Sequence, residues 1–433
     1  MRRVVVTGIG VASPLGIGKE AFWSNLLAGE SGIRGIRQFD ASGFPCQIAG
    51  EVPPFEIADY VPKSYRKATK VMARDIHLAV VAANTAFKDA GMRSRVDAGN
   101  PAESDRRFTC NIGAGLISFD LNELTTAMAA AAQDNNRMDL HRWGNDAMNR
   151  LTPLWLLKYL PNMLASHITI LHGLAGISNS ITCGEASGHF AIGEAFRVIQ
   201  RGDADRAICG GIETKVNPLG LVRQILLKRL ATNSNANPAA ALRPFDAAAS
   251  GSVLGEGGGL LILEELSQAL QRGANIYAEL SGFGASQDVF SISEPDPSGR
   301  SYACAMKAAL HDAKVAPADV DLVMPFGEGN AAHDRAELAG LETVFGDRLN
   351  DVPLTPIKAQ TGNLGAGNGL EAAATVLALH HNTLCPAVNT VDCANGRKLN
   401  TATTVRSAKI DTAVSGAYSL GGQNAALVFR RYS

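Results

Sequence analysis

Short runs of apolar, often β-branched residues alternate along the chain with longer segments whose apolar positions recur at helical spacing. The short runs have the length of buried strands, and the longer segments have the periodicity of amphipathic helices. The pattern predicts strands over 3–8, 108–113, 168–171, 206–210 and 259–263. It predicts helices over 66–92 and 187–201. Strands and helices that alternate in this way favour an α/β fold with a buried sheet.

The second part of the chain begins with a segment similar to the first. Residues 276–284, Ile-Tyr-Ala-Glu-Leu-Ser-Gly-Phe-Gly, match the Val-Val-Val-Thr-Gly-Ile-Gly of residues 4–10 in their apolar run and their Gly-x-Gly ending. The period is too long for a solenoid and fits two packed copies of one unit. We therefore predict two duplicated halves, residues 1–267 and residues 268–433.

The composition is that of an ordinary globular protein and narrows the range of partners. Charged residues make up 19% and the formal net charge is −1, so bulk charge gives no reason to expect nucleic acid. The seven cysteines include no C-x-x-C pair, which argues against a zinc site, and we predict no metal and no cofactor. Unpaired thiols suit the cytoplasm. The apolar stretch 151–174 contains two prolines and a lysine, so we predict no membrane span.

The most informative motif runs from Ser180 to Gly193. It reads Ser-Ile-Thr-Cys-Gly-Glu-Ala-Ser-Gly-His-Phe-Ala-Ile-Gly and resembles the nucleophile elbow of the β-ketoacyl-ACP synthases. Similar segments at 4–16, 243–246 and 421–429 extend the resemblance over essentially the whole chain. The resemblance implies a thiolase-like, five-layer αβαβα fold with two duplicated halves, an active site between them, and a dimer.

The resemblance also shows which catalytic groups are replaced. The family uses a cysteine and two histidines, and ungapped matching puts Glu185, Phe326 and Asn363 at these positions. A carboxylate is a poor substitute for the acyl-accepting thiol, and an amide cannot act as a general acid or base. Lys358 is retained, and we expect it to pair with Glu185. The matching therefore predicts no catalytic residue of the usual kind.

We interpret the chain as a noncatalytic subunit similar to the chain length factors of type II polyketide synthases. Such a subunit pairs with an active ketosynthase, works with acyl carrier protein and shapes the tunnel for the growing acyl chain. Two alternatives stay open: a homodimeric acyltransferase that uses Cys183 or Glu185, and a homodimeric acyl-binding protein. Cys183, two residues before the nucleophile position, is the fallback nucleophile, although a small buried thiol at a strand end explains it as well.

Bulky residues near the elbow are candidates for the tunnel wall or the subunit interface. The matching places Leu116, Trp155 and Tyr159 against the partner's pocket, and Leu420 is included with them. Large aromatic side chains at these positions would limit the length of the acyl chain. Plain interface packing explains the same residues, because aromatic side chains favour buried contacts.

Overall fold

The computed structural model describes residues 1–94, 104–133, 137–393, 396 and 398–432. Its strands are β1 Val4–Ser13, β2 Gly16–Ile17, β3 Ile33–Gly35, β4 Ile48–Gly50, β5 Phe108–Ala114, β6 Ser178–Ile181, β7 Arg206–Thr214, β8 Glu256–Glu265, β9 Ala278–Gln287, β10 Leu322–Met324, β11 Thr383–Leu384, β12 Arg406–Ser407, β13 Thr412–Tyr418 and β14 Gln423–Arg430. Its α-helices are α1 Lys19–Leu27, α2 Arg74–Asp89, α3 Leu121–Ala131, α4 Leu140–Asn145, α5 Met163–His172, α6 Ser187–Arg201, α7 Pro218–Leu226, α8 Leu266–Gln271, α9 Arg300–Ala313, α10 Ala331–Phe345, α11 Lys358–Thr361 and α12 Gly369–His381. Strands and helices alternate as the sequence predicts.

Among the described residues, the main sheet has ten strands in the order β10-β13-β14-β9-β1-β8-β7-β5-β6, with β2 paired to β1. The central strand β1 pairs antiparallel with β8 on one side and with β9 on the other. The pairs β5 with β6, β5 with β7, and β10 with β13 are parallel. Since β9 belongs to the second predicted half, this sheet joins the two halves by backbone hydrogen bonds. The division at residue 267 stays a prediction.

Helices α6 and α12 lie in the middle of the molecule, between the strands of the two halves, while α2 and α9 cover outer faces. The N-terminal ends of α6 and α12 touch. A Cβ added to Gly188 would lie 2.6 Å from the backbone nitrogen of Gly369, closer than a side chain allows. Glycine permits this backbone contact. The residues just before each helix, including Glu185 and Asn363, are thereby brought together.

Two predicted elements differ from the structure. Residues 168–171, predicted as a strand, lie in helix α5, where Leu164, Ile168 and Leu171 are buried at helical spacing. Short apolar runs fit either element, and here packing against α2 decides for the helix. The predicted helix 66–92 is an α-helix only over Arg74–Asp89, because Met72 and Ala73 have extended backbones. No helix among the described residues is long and apolar enough to cross a membrane.

Asp75, in the first turn of α2, provides a pH test of this packing. Its carboxylate accepts a hydrogen bond from the Thr214 backbone nitrogen at 3.0 Å, and burial raises its pKa to about 7. A carboxyl group whose folded pKa exceeds its unfolded pKa destabilises the fold as the pH rises from the unfolded to the folded value. Because of this group, we expect the free energy of unfolding of the wild type to fall by about 2–3 kcal/mol between about pH 5 and pH 7.

In urea unfolding, Asp75→Asn should abolish this loss, because the amide cannot ionise. The exposed Asp347→Asn is the matched control and should keep it. Parallel pH profiles for the wild type and Asp75→Asn would show that Asp75 is already ionised at low pH in the folded protein.

Candidate active site

The turn that contains Cys183 and Glu185 is fixed by local hydrogen bonds. The backbone nitrogen of Cys183 donates to the Ser187 hydroxyl at 2.8 Å, and that hydroxyl donates to the Gly184 carbonyl at 2.6 Å. Gly184 has a φ of +53°, and a Cβ added to it would lie 3.0 Å from the Cβ of Ser419. Because glycine tolerates this backbone angle and the close approach, the turn lies directly against the Ser419 segment.

Glu185 lies in the turn just before the central helix α6 and is ion-paired. Its side chain is buried, with Oε1 2.9 Å from Nη1 of Arg229 and 3.6 Å from Nζ of Lys215. Burial alone would raise the pKa of this carboxyl, but Lys215 and Arg229 together lower it below its usual range. Glu185 is therefore an anion held between two cations at the position of the family's nucleophile.

Arg229 also contacts a second buried carboxylate, Glu328. Its Nη2 lies 2.6 Å from Glu328 Oε2, which also accepts a hydrogen bond from Nδ2 of Asn363 at 3.1 Å. Although burial opposes ionisation, Arg229 and His333 lower the pKa of Glu328 to about 2. Asn363 is thus a hydrogen-bond donor to this carboxylate, and its match to the family's second histidine stays a prediction.

Lys358 is engaged elsewhere. Its ammonium group pairs with Glu371 of α12 and lies 4.0 Å from the ring centroid of Phe326. The expected pairing with Glu185 is therefore wrong. Glu371 and the ring of Phe326 offer a buried ammonium both a counter-charge and a cation–π contact, while Arg229 and Lys215 already neutralise Glu185.

A cleft opens beside this charge cluster. Its wall includes His333, Tyr418 and Leu420, and its outer rim is formed by residues 291–296. His333 Nδ1 lies 2.6 Å from Glu328 Oε1, so the cleft and the charge cluster share this pair. Of the predicted tunnel residues, only Leu420 lines this cleft.

The other three predicted residues lie apart from the cleft. The ring centroid of Phe119 lies 5.1 Å from that of Trp155 and 4.9 Å from that of Tyr159, so these rings form one aromatic cluster. The Tyr159 hydroxyl donates to Glu123 at 2.8 Å. Leu116 is 61% exposed. The assignment of these residues to a tunnel or an interface stays a prediction.

Sequence reasoning missed the residues that complete the site: Lys215, Arg229, Glu328, His333 and Tyr418. Glu328 carried a signal, since it is a carboxylate two residues after Phe326 in a glycine-containing loop. Arg229 carried none, because Lys228-Arg229 looks like a solvated pair. Among the described residues, no group of three or more His, Cys, Asp or Glu side chains could hold a metal ion.

Sequence comparison identifies the class of protein. The profile "Beta-ketoacyl synthase, N-terminal domain" matches residues 1–269, and "Beta-ketoacyl synthase, C-terminal domain" matches residues 277–391. The chain belongs to the β-ketoacyl synthase family. It is 35% identical over 438 residues to 3-oxoacyl-[acyl-carrier-protein] synthase 2 of Coxiella burnetii, covering 99% of both chains. It is 34% identical over 444 residues to the protein of that name from Rhizobium meliloti, covering 100% of both.

Solved structures agree with the fold. A β-ketoacyl synthase from Burkholderia phymatum has a TM-score of 0.87 at 28% identity, and the ishigamide ketosynthase/chain length factor has 0.85 at 28%, each covering 100% of both chains. A ketosynthase in complex with the acyl-carrier protein of its type II polyketide synthase has 0.83 at 27%, also over 100% of both chains. The predicted thiolase-like α/β fold is confirmed.

The predicted function is wrong. Relatives that match the chain over its full length at 32–35% identity are named as synthases of 3-oxoacyl-acyl carrier protein, whereas the prediction was a noncatalytic chain length factor paired with an active ketosynthase. The prediction rested on Glu185, Phe326 and Asn363, whereas the structure also brings Arg229, Glu328 and His333 together at the same centre.

Arg229→Gln should lower the free energy of unfolding by about 3–5 kcal/mol at neutral pH, because two buried carboxylates lose their shared cation. Both carboxyl groups have depressed folded pKa values, so their stabilising contribution is present above the unfolded pKa and is lost as the pH falls. The difference between variant and wild type should therefore shrink in acid. Chemical denaturation at about pH 7 and pH 4 measures it.

The exposed Arg223, whose Nη1 donates to the Ser118 hydroxyl at 3.3 Å, is the matched control. Arg223→Gln should change stability by less than about 0.5 kcal/mol. A similarly small effect of Arg229→Gln would mean that water reaches the two carboxylates.

Proposed function

We propose that this chain is an acyltransferase of fatty acid or polyketide chain elongation that acts in the cytoplasm on acyl groups carried by acyl carrier protein. The names of its full-length relatives support the reaction class. The structural neighbour that is complexed with an acyl-carrier protein supports the proposal that acyl carrier protein delivers the acyl group. The cleft beside Leu420 is the place for the acyl thioester, since its wall includes His333, which contacts Glu328 of the charge cluster.

Glu185 is a poor acyl acceptor in this site. Acylation would turn its carboxylate into a neutral anhydride and remove the counter-charge that Glu185 gives to Arg229 and Lys215. Breaking a buried ion pair in this way costs several kcal/mol. The charge cluster therefore fixes Glu185 as a structural anion at the start of α6.

Cys183 is the acceptor that the geometry supports best. The observation that carries this assignment is the contact of Gly184 with Ser419, which brings the Cys183 turn to the segment that lines the cleft. In the transfer, the Cys183 sulfur forms a bond to the acyl carbon. The bond from that carbon to the carrier sulfur breaks, and the carrier leaves as a thiol after taking up the proton.

Incubation with acyl carrier protein that bears an acyl thioester should add one acyl group to the wild type, as measured by intact-protein mass. Cys183→Ala should remove this adduct, while Cys304→Ala, at an exposed thiol, should keep it. Burial raises the pKa of the Cys183 thiol, so the rate of adduct formation should increase as the pH rises above neutral. An adduct that survives in Cys183→Ala, or no adduct at any pH, would contradict the assignment.

We also propose that the chain forms a homodimer through the free edge of the main sheet. Strand β6 ends the strand order, and Ile177, which precedes it, is 43% exposed. Ile170 on the neighbouring helix α5 is 52% exposed. An edge strand flanked by exposed apolar side chains is a ready site for antiparallel pairing with a second copy about a twofold axis.

Ile177→Asp should convert the dimer into a monomer, because the buried interface would receive an unpaired charge. Light scattering coupled to size exclusion measures the mass directly. Leu270→Asp on α8 is the matched control, since Leu270 is 53% exposed but lies away from β6, and it should remain dimeric. A monomeric wild type, or a dimeric Ile177→Asp, would place the interface elsewhere.

A further inference from the structure

The cleft wall carries a histidine oriented by a carboxylate, at positions different from those of the family's two histidines. Glu328 uses its two oxygens for different partners. Oε2 accepts from Arg229 at 2.6 Å and from Asn363 at 3.1 Å, and Oε1 lies 2.6 Å from His333 Nδ1. This contact is electrostatic and lacks the geometry of a hydrogen bond, but the carboxylate attracts the protonated imidazole and holds it at the cleft wall, while Nε2 is left for proton exchange.

The negative charge of Glu328 is stabilised by Arg229, which contacts the carboxylate oxygen that His333 does not. Arg229 and His333 together lower the pKa of this carboxyl to about 2, despite its burial. Glu328 therefore stays an anion throughout the pH range in which a histidine titrates. Asp334 follows His333 on the same helix. Among the described residues, the other titratable groups that line the cleft with His333 are Asp288, Glu294, Asp296, Tyr302, Glu337 and Tyr418.

Tyr418 provides a second, independent observation. Its ring centroid lies 6.1 Å from that of His333, and it lines the same cleft while remaining only 7% exposed. Its hydroxyl is buried and has no hydrogen-bond partner among the described residues. A buried hydroxyl without a partner costs about 1–3 kcal/mol, which a ligand oxygen at this position would recover. Burial also raises the pKa of Tyr418 well above its usual value, so the hydroxyl keeps its proton.

We propose that His333, positioned by Glu328, is the acid–base residue of the cleft, and that the Tyr418 hydroxyl binds the carbonyl oxygen of an acyl thioester. The inference rests on the transferase function proposed above. His333 Nε2 takes the proton from the acceptor thiol as the new sulfur–carbon bond forms. It then gives that proton to the carrier sulfur as the old bond breaks, while Tyr418 donates to the carbonyl oxygen on which negative charge develops.

The first test is the pH profile of acylation. At pH 7, His333→Gln should acylate about 10²–10³ times more slowly than the wild type, as expected for loss of a general base. The gap should narrow as the pH approaches that of thiol ionisation, because a thiolate needs no base. His311→Gln, at an exposed histidine on α9, is the matched control and should follow the wild type. An unchanged rate and pH profile in His333→Gln would overturn the proposal.

The second test concerns binding and does not need turnover. The probe is an acyl-pantetheine analogue in which an amide replaces the thioester. Tyr418→Phe should weaken its binding about tenfold, the value of one hydrogen bond of about 1.4 kcal/mol. Tyr60→Phe, at a phenol outside the cleft, should bind like the wild type. Equal affinity in Tyr418→Phe would overturn the role of its hydroxyl.

A third measurement separates this inference from the proposed function. In protein with isotope-labelled histidine, the imidazole signal that disappears in His333→Gln should shift when the amide analogue binds. If this signal shifts but Cys183 is never acylated, the proposed transfer fails and the ligand site stands. If Cys183 is acylated and the signal does not shift, the transfer stands and the role of His333 is overturned.

Discussion

The structure around the site depends on one guanidinium group, that of Arg229. It bridges Glu185, at the start of the central helix α6, and Glu328, in the loop before α10. These two carboxylates come from the two predicted halves of the chain, so one buried cation ties the halves together at their shared centre. Removing either carboxylate would leave Arg229 with one of its two counter-charges, and removing the arginine would take from both carboxylates the cation that they share. Each of the three groups therefore helps to keep the centre ionised and packed.

The same bridge changes the chemistry of the centre. At the position that sequence matching assigns to the family's cysteine, Glu185 is an anion whose pKa is lowered by Lys215 and Arg229. The negative charge that would make this carboxylate reactive is neutralised by its ion pairs. On the side of the cluster that faces the cleft, His333 lies beside Glu328, and the buried hydroxyl of Tyr418 has no hydrogen-bond partner among the described residues.

The close contact of the two central helices makes this arrangement possible. Gly188 and Gly369 let the backbones of α6 and α12 meet, so the segments preceding both helices converge. Asn368 Nδ2 donates to the backbone oxygen of Glu185 at 2.8 Å, and Asn363 reaches Glu328. A larger residue at Gly188 would separate the helices and with them the two carboxylates and their shared arginine. Backbone packing and the charge cluster therefore support each other.

The sequence determined the features that are written locally. The strand at 108–113 and the helix at 187–201 are confirmed within a residue at each end, because a buried strand and an amphipathic helix each leave a periodic pattern. The motif around Glu185 likewise identified the family from adjacent residues. The run at 168–171 was misread, because a short apolar run has no period of its own, and contact with α2 selects the helix.

The tertiary structure alone decided which charges meet. Glu328 lies 99 residues from Arg229 along the chain, and Glu185 lies 44 residues from it, so no local pattern relates them. Lys358 is a second example. It lies in a motif that matches the family, yet it pairs with Glu371 and not with Glu185, the partner expected from the sequence. Ion pairs form between groups that the fold buries side by side. The sequence shows which charged residues are present. Which of them meet depends on the fold, including the contact of the two central helices at Gly188 and Gly369.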